Sequence, residues 1–209
     1  MAVERMTSSM GKSNREYRFF AATNFAPVEE EAGSYTVKGY FTTFNDPYPF
    51  GPEGCFEQID RNAFSGTDLS DVIFQFDHDG MVLARQRNKT LEIGFDEHGG
   101  YCRASLGGCQ QGRDLYEAIS NGLVDRMSFG FSVAPDGWEW DTNTRTSTIT
   151  KVGKLYDVSA VSIPANDGTE IHARSYLDGV IEAEHQELMQ READRRRRAA
   201  AAMELSKLS

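Results

Sequence analysis

No apolar run in this 209-residue chain approaches the roughly 18 residues that a membrane-crossing helix needs. Residues 1–17 hold no apolar stretch of the kind a secretory signal requires, so neither export nor a membrane partner is expected. Cysteine is scarce, with only Cys55, Cys102 and Cys109. An odd, small count argues against a disulfide framework and for a reducing compartment. Positive charge is also in short supply: 22 Lys and Arg stand against 32 Asp and Glu, a net charge of −10. Phosphate affinity needs clustered positive charge, which argues against nucleic acid as a partner. The phosphate-cradling G-x-x-x-x-G-K-[ST], the dinucleotide G-x-G-x-x-G, and the zinc patterns C-x-x-C and H-E-x-x-H are all missing. Ser128 has Arg126 two positions before it, so the G-x-S-x-G nucleophile elbow is absent too. Hydrophobic residues make up 39%, low for a compact domain, so part of the chain is expected outside the core.

What is present divides the chain into three. Residues 1–33 are polar and small, with an acidic triplet at Glu29 to Glu31, and read as a mostly disordered leader with one early strand near Tyr17 to Ala22. Residues 34–175 hold both tryptophans and nearly all the glycines and read as the folded domain. Residues 176–209 lack proline, have no glycine after Gly179, and carry 6 basic and 7 acidic residues. This composition reads as a charged helical tail. In the middle segment, Tyr35 to Phe44, Val72 to Phe76, Met127 to Ala134, Thr146 to Thr150 and Leu155 to Ile163 read as strands. Thr90 to Phe95 and Tyr101 to Leu106 flank a turn-forming stretch and read as a hairpin. Trp138 and Trp140 fall in a polar loop. Arg113 to Asn121 reads as a helix capped by Gly122, and Phe56 to Phe64 as a short helical turn. Many short strands with few helices predict a mainly β fold with peripheral helices, a barrel or sandwich and not a doubly wound sheet.

Three residues stand out chemically. His78 follows an apolar strand in Asp77-His78-Asp79-Gly80, where a strand end can hold a catalytic side chain on a rigid element. A surface histidine between two acids fits that position as well. Ser128 sits between Met127 and Phe129 and is either a nucleophile or an outward hydroxyl on a half-buried strand. Asp157 interrupts the apolar run Leu155 to Val161. It faces solvent, or it is buried and paired, the state suited to orienting an imidazole. A metal site from Asp77, His78, Asp79 and His98 is a further alternative, without a diagnostic spacing. The run Arg195 to Arg198 reads as a solvated helix face.

Taken together, three separated stretches resemble the prohead serine proteases of tailed phages, relatives of the herpesvirus assemblins. They are Phe74-Gln75-Phe76-Asp77-His78-Asp79; the segment from Gly112-Arg113-Asp114 to Met127-Ser128-Phe129-Gly130-Phe131; and Leu155-Tyr156-Asp157-Val158 through Ile163-Pro164-Ala165. Phe56-Glu57 to Asn62-Ala63-Phe64 is a weaker fourth match. The resemblance implies a closed β-barrel of the assemblin type, followed here by the helical tail. It implies a serine endopeptidase with His78 as general base, Ser128 as nucleophile and Asp157 as the third member, where the herpesvirus relatives have a second histidine. Oxyanion donors are expected after Pro164, near Ala165 and Asn166. No cofactor is implied. The implied partners are major capsid protein and scaffold segments inside the assembling prohead in the host cytoplasm, with self-cleavage, and with room for a homo-oligomer. A non-catalytic scaffold or minor shell protein on the same fold is the rival expectation.

Overall fold

The computed structural model describes residues 15–21, 25–28 and 34–162, together with 12 positions between 182 and 198. In chain order the elements are β1 (Glu16–Ala21), β2 (Ala26–Pro27), β3 (Thr36–Thr43), β4 (Tyr48–Pro49), β5 (Phe56–Ile59), β6 (Ile73–Phe76), β7 (Asp79–Arg85), β8 (Leu91–Phe95), β9 (Gly99–Ser105), α1 (Gln110–Ser120), β10 (Arg126–Val133), β11 (Trp138–Asp141), β12 (Thr146–Ile149) and β13 (Val152–Val161). The fold is mainly β. Among the described residues the strands pair into three sheets, ordered β1-β10-β13-β6-β7, β11-β12-β5-β4 and β2-β3-β9-β8.

The three sheets share one apolar core. Phe129 and Phe131 point the same way from β10 because strand side chains repeat every second residue, and their rings stack at 4.6 Å. Phe41 of β3 meets Phe129 at 5.4 Å, joining two sheets through aromatic contact. Helix α1 closes one end with Leu115 and Ile119, four residues apart on its buried face. Its N-cap is Cys109, whose sulfur accepts from the Gly112 amide, and its C-cap is Asn121.

Several expected strands recur with edges moved by a few residues, and the hairpin is β8–β9. Two local readings are corrected. Phe56 to Phe64 does not begin as a helical turn: Phe56–Ile59 is β5, which pairs parallel with β12 and antiparallel with β4. Its burial alternates with period two, and only after Ile59 does the chain turn, with Asp60 accepting from the Asn62 amide at 2.7 Å. The tryptophan loop is instead β11, where Trp138 lies opposite Ile149 and Trp140 opposite Ser147 on β12. Cross-strand partners make a strand of a segment whose intervening acids read as loop. The described residues between 182 and 198 are helical and exposed. In the tail sequence Leu177, Val180, Ile181 and Leu188 recur at helical spacing as a thin apolar stripe, and these four residues lie outside the described ones.

Candidate active site

Register places the site on one face of the five-stranded sheet. In the antiparallel β10–β13 pair, Ser128 lies opposite Ser159 and Gly130 opposite Asp157. These four residues therefore share a face, while Met127, Phe129, Val158 and Ala160 point to the core. Strand β6 runs parallel to β13, with Ile73 beside Asp157 and Gln75 beside Ser159. It thus delivers the chain that follows it to the end of the same face.

That delivery depends on a tight turn. β6 and β7 are joined by two residues, Asp77 and His78, with Phe76 paired to Asp79 across the turn. Both have left-handed backbones, at φ 49° and 58°. Two central residues with positive φ make a type I′ turn, whose twist matches the flanking strands and which favours Asn-Gly or Asp-Gly. A histidine in the second place is strained, and strain of this kind marks functional positions. Asp77 ties the turn down by accepting from the Ser162 amide and hydroxyl, both at 2.8 Å, just past the end of β13.

The result is a continuous chain of hydrogen bonds. His78 Nε2 lies 2.5 Å from Ser128 Oγ, and His78 Nδ1 meets Asp157 Oδ1. Ser159 donates to the same carboxylate oxygen at 2.9 Å. The Arg15 guanidinium donates to the other, Oδ2. Ser128 and Asp157 are fully buried, and 12% of the His78 side chain is exposed. Burial pushes the Asp157 carboxyl up, but the hydrogen bond and charge of His78, and then those of Arg15, outweigh it and hold the carboxyl below its ordinary value. Room for this cluster comes from Gly130. A Cβ there would stand 2.3 Å from Asp157 Oδ2 and 2.8 Å from Tyr17 Cε1, which accounts for the glycine in Met127-Ser128-Phe129-Gly130-Phe131.

The three singled-out residues, His78, Ser128 and Asp157, therefore converge from three strands or their ends. Asp157 is the buried, paired acid and not the outward-facing one, and Ser128 lies inward on a strand buried on both faces from Met127 to Phe131. Asp77, His78, Asp79 and His98 do not converge. His98 packs its ring against Tyr40 at 4.6 Å, and among the described residues no group of three or more His, Cys, Asp or Glu side chains is placed to hold a metal. Pro164, Ala165 and Asn166, where oxyanion donors were expected, lie outside the described residues. Sequence reasoning passed over Arg15, Tyr17 and Ser159. Ser159 carried a signal, since it stands two residues after Asp157 and must share its face. Arg15 carried none, because only strand pairing brings it to β13.

A hydroxyl, an imidazole and a carboxylate linked in this order form the arrangement by which a serine is activated as a nucleophile. The sequence profile of the caudovirus prohead serine proteases matches residues 24–182, and the chain belongs to that family. It is also 38% identical, over 148 residues, to the prohead protease of Enterobacteria phage HK97, an alignment covering 68% of this chain and 61% of the HK97 protein. No solved structure matches.

Proposed function

We propose that the chain is a serine endopeptidase that cleaves scaffold and capsid-protein segments, and itself, during prohead maturation. The observation that carries this reading is the 2.5 Å contact between His78 Nε2 and Ser128 Oγ, backed by Asp157 on the other ring nitrogen. In the proposed mechanism Ser128 attacks the peptide carbonyl and His78 takes its proton. His78 then protonates the leaving amine, and water, activated by the same imidazole, hydrolyses the acyl-enzyme. Asp157 keeps the Nδ1–H tautomer and stabilises the imidazolium. No cofactor takes part.

The body at 34–175 is proposed as the protease domain, with β1 and β2 of the 1–33 segment paired onto its sheets, and the tail at 176–209 is proposed to target it to the assembling shell inside the host cell. The closed barrel of the assemblin type belongs to this proposal, supported by the single core that the three sheets share. Incubating the purified chain with its major capsid protein and mapping new termini by mass spectrometry tests the reading. Ser128→Ala should lose cleavage by roughly 10⁴-fold or more while melting like the wild type. Equal processing by a folded Ser128→Ala would overturn Ser128 as the nucleophile, and no processing by the folded wild type would leave the non-catalytic assembly role.

A further inference from the structure

Asp157 has two carboxylate oxygens and three partners. Oδ1 serves His78 and Ser159, and Oδ2 is held by Arg15. Arg15 stands just before β1, ahead of the family match that begins at residue 24. β1 pairs with β10 so that Tyr17 lies opposite Gly130. With a side-chain period of two, Arg15 and Tyr17 then share the site's face while Arg18 enters the core. The guanidinium is seated near two rings, 5.2 Å from that of Tyr17 and 5.0 Å from that of Tyr156. Tyr17 presents its ring to His78 at 4.4 Å. The Gly130 notch admits this group as well, since a Cβ there would lie 2.9 Å from Arg15 Nε.

We infer that Arg15 is a positioning residue of the proposed triad, locking the Asp157 carboxylate through Oδ2 and setting the charge against which His78 accepts the serine proton. The inference rests on the reading of Ser128, His78 and Asp157 as a triad. A carboxylate held at one oxygen can still turn about its Cβ–Cγ bond; held at both, it cannot. A guanidinium is protonated at every working pH, so it is a fixed charge. It offsets part of the pull of Asp157 on a proton at the imidazole. Facing His78 are Arg15 and Tyr17 from the β1 arm, Ser128 from β10, and Asp157 and Ser159 from β13. Its own hairpin adds Asp77, bound to Ser162, and Asp79, which accepts from the Gly80 amide. Removing Arg15 therefore takes away positive charge next to a carboxylate and favours imidazolium.

A fluorophosphonate probe tests this without the natural substrate. Ser128 Oγ bonds to phosphorus, fluoride leaves, and His78 takes the hydroxyl proton. In the full chain the wild type should be labelled at Ser128 and Ser128→Ala should not; equal labelling would overturn the triad itself. With the wild type labelled, Arg15→Met should react roughly 10-fold more slowly at pH 7, about the worth of one hydrogen bond to a charged group. The acid limb of its rate–pH profile should move up by about one unit, and Arg15→Lys should bring the limb back. An unchanged rate and limb in Arg15→Met would overturn the inference and leave the triad standing. Slower labelling with an unmoved limb would mark a purely structural role, and faster labelling would mark the arm as an obstruction; either overturns it. Thermal melts accompany each variant. If Arg15→Met loses its native transition, Arg15→Gln replaces it, and loss of folding in both also overturns the inference.

Discussion

His78 shows how one residue can carry opposed demands. The type I′ turn asks for glycine at its second position, and the hydrogen bonds to Ser128 and Asp157 ask for imidazole. Left-handed backbone costs an L-residue about 1–2 kcal/mol, and glycine escapes that cost. His78→Ala and His78→Gly both lose the ring, so the difference between them isolates the backbone. The expected outcome is that His78→Gly unfolds in urea about 1 kcal/mol later than His78→Ala, while neither is labelled by a fluorophosphonate. Equal stability would show that the turn relaxes and stores no strain. Asp157 carries the acid side of the same balance. Its carboxyl sits below the ordinary value, so its ionised form stabilises the fold above the unfolded value of about 4 and loses that contribution as pH falls through the folded value. Melting temperatures should therefore fall more steeply between pH 5 and pH 2 in the wild type than in Asp157→Asn, as followed by circular dichroism (roughly this window, from the linkage relation).

At the scale of elements, α1 and the β6–β7 hairpin behave differently toward substitution. The helix starts on Cys109, a sulfur acceptor 3.4 Å from the Gly112 amide. Sulfur accepts weakly, and serine is among the preferred N-caps. Cys109→Ser should raise stability by about 0.5–1 kcal/mol in thermal or urea melts without changing Ser128 labelling, because the helix contributes no side chain to the proposed triad. The periodic face of α1 was legible in Leu115 and Ile119. The hairpin was not. Val72 to Phe76 was recognisable as a strand, but Asp79-Gly80-Met81-Val82 carries two turn-forming residues and exposed apolar ones, so nothing marked β7 as its partner. The I′ turn emerges only once Phe76 and Asp79 are seen to pair.

For the molecule as a whole, the joint between sheets is a buried ion pair. Arg18 of β1 is 3% exposed and Glu57 of β5 is fully buried. Arg18 donates to both oxygens of Glu57, with Nη2 to Oε2 at 2.9 Å, and Tyr48 donates to the same carboxylate. Burial works to lower the Arg18 pKa, but Glu57 outweighs it and raises it, so the guanidinium stays charged. Removing one member of such a pair strands the other in the core at about 3–5 kcal/mol, whereas replacing both with apolar groups can be neutral. Arg18→Met should show a loss of that order in urea denaturation, and Arg18→Met with Glu57→Leu should recover most of it. Full additivity of the two losses would show that the residues do not stabilise each other.

The amino-acid sequence by itself determined the mainly β class of fold and the positions of the longer strands, both written locally in two-residue alternation. His78, Ser128 and Asp157 were singled out together by the resemblance to a family, because local pattern alone also allowed each of them an exposed place. Tertiary structure decided which neighbours those residues have. Whether Asp157 faced water or an imidazole depended on β10 and β6 flanking β13, pairings set by contacts far apart in the chain. Arg15 reaches Asp157 across 142 positions because β1 pairs with β10, and that depends on the register of two strands and on the absence of a Cβ at Gly130. Register slips one residue at a time and turns every side chain over, so a face can be assigned only when the partner strand is known.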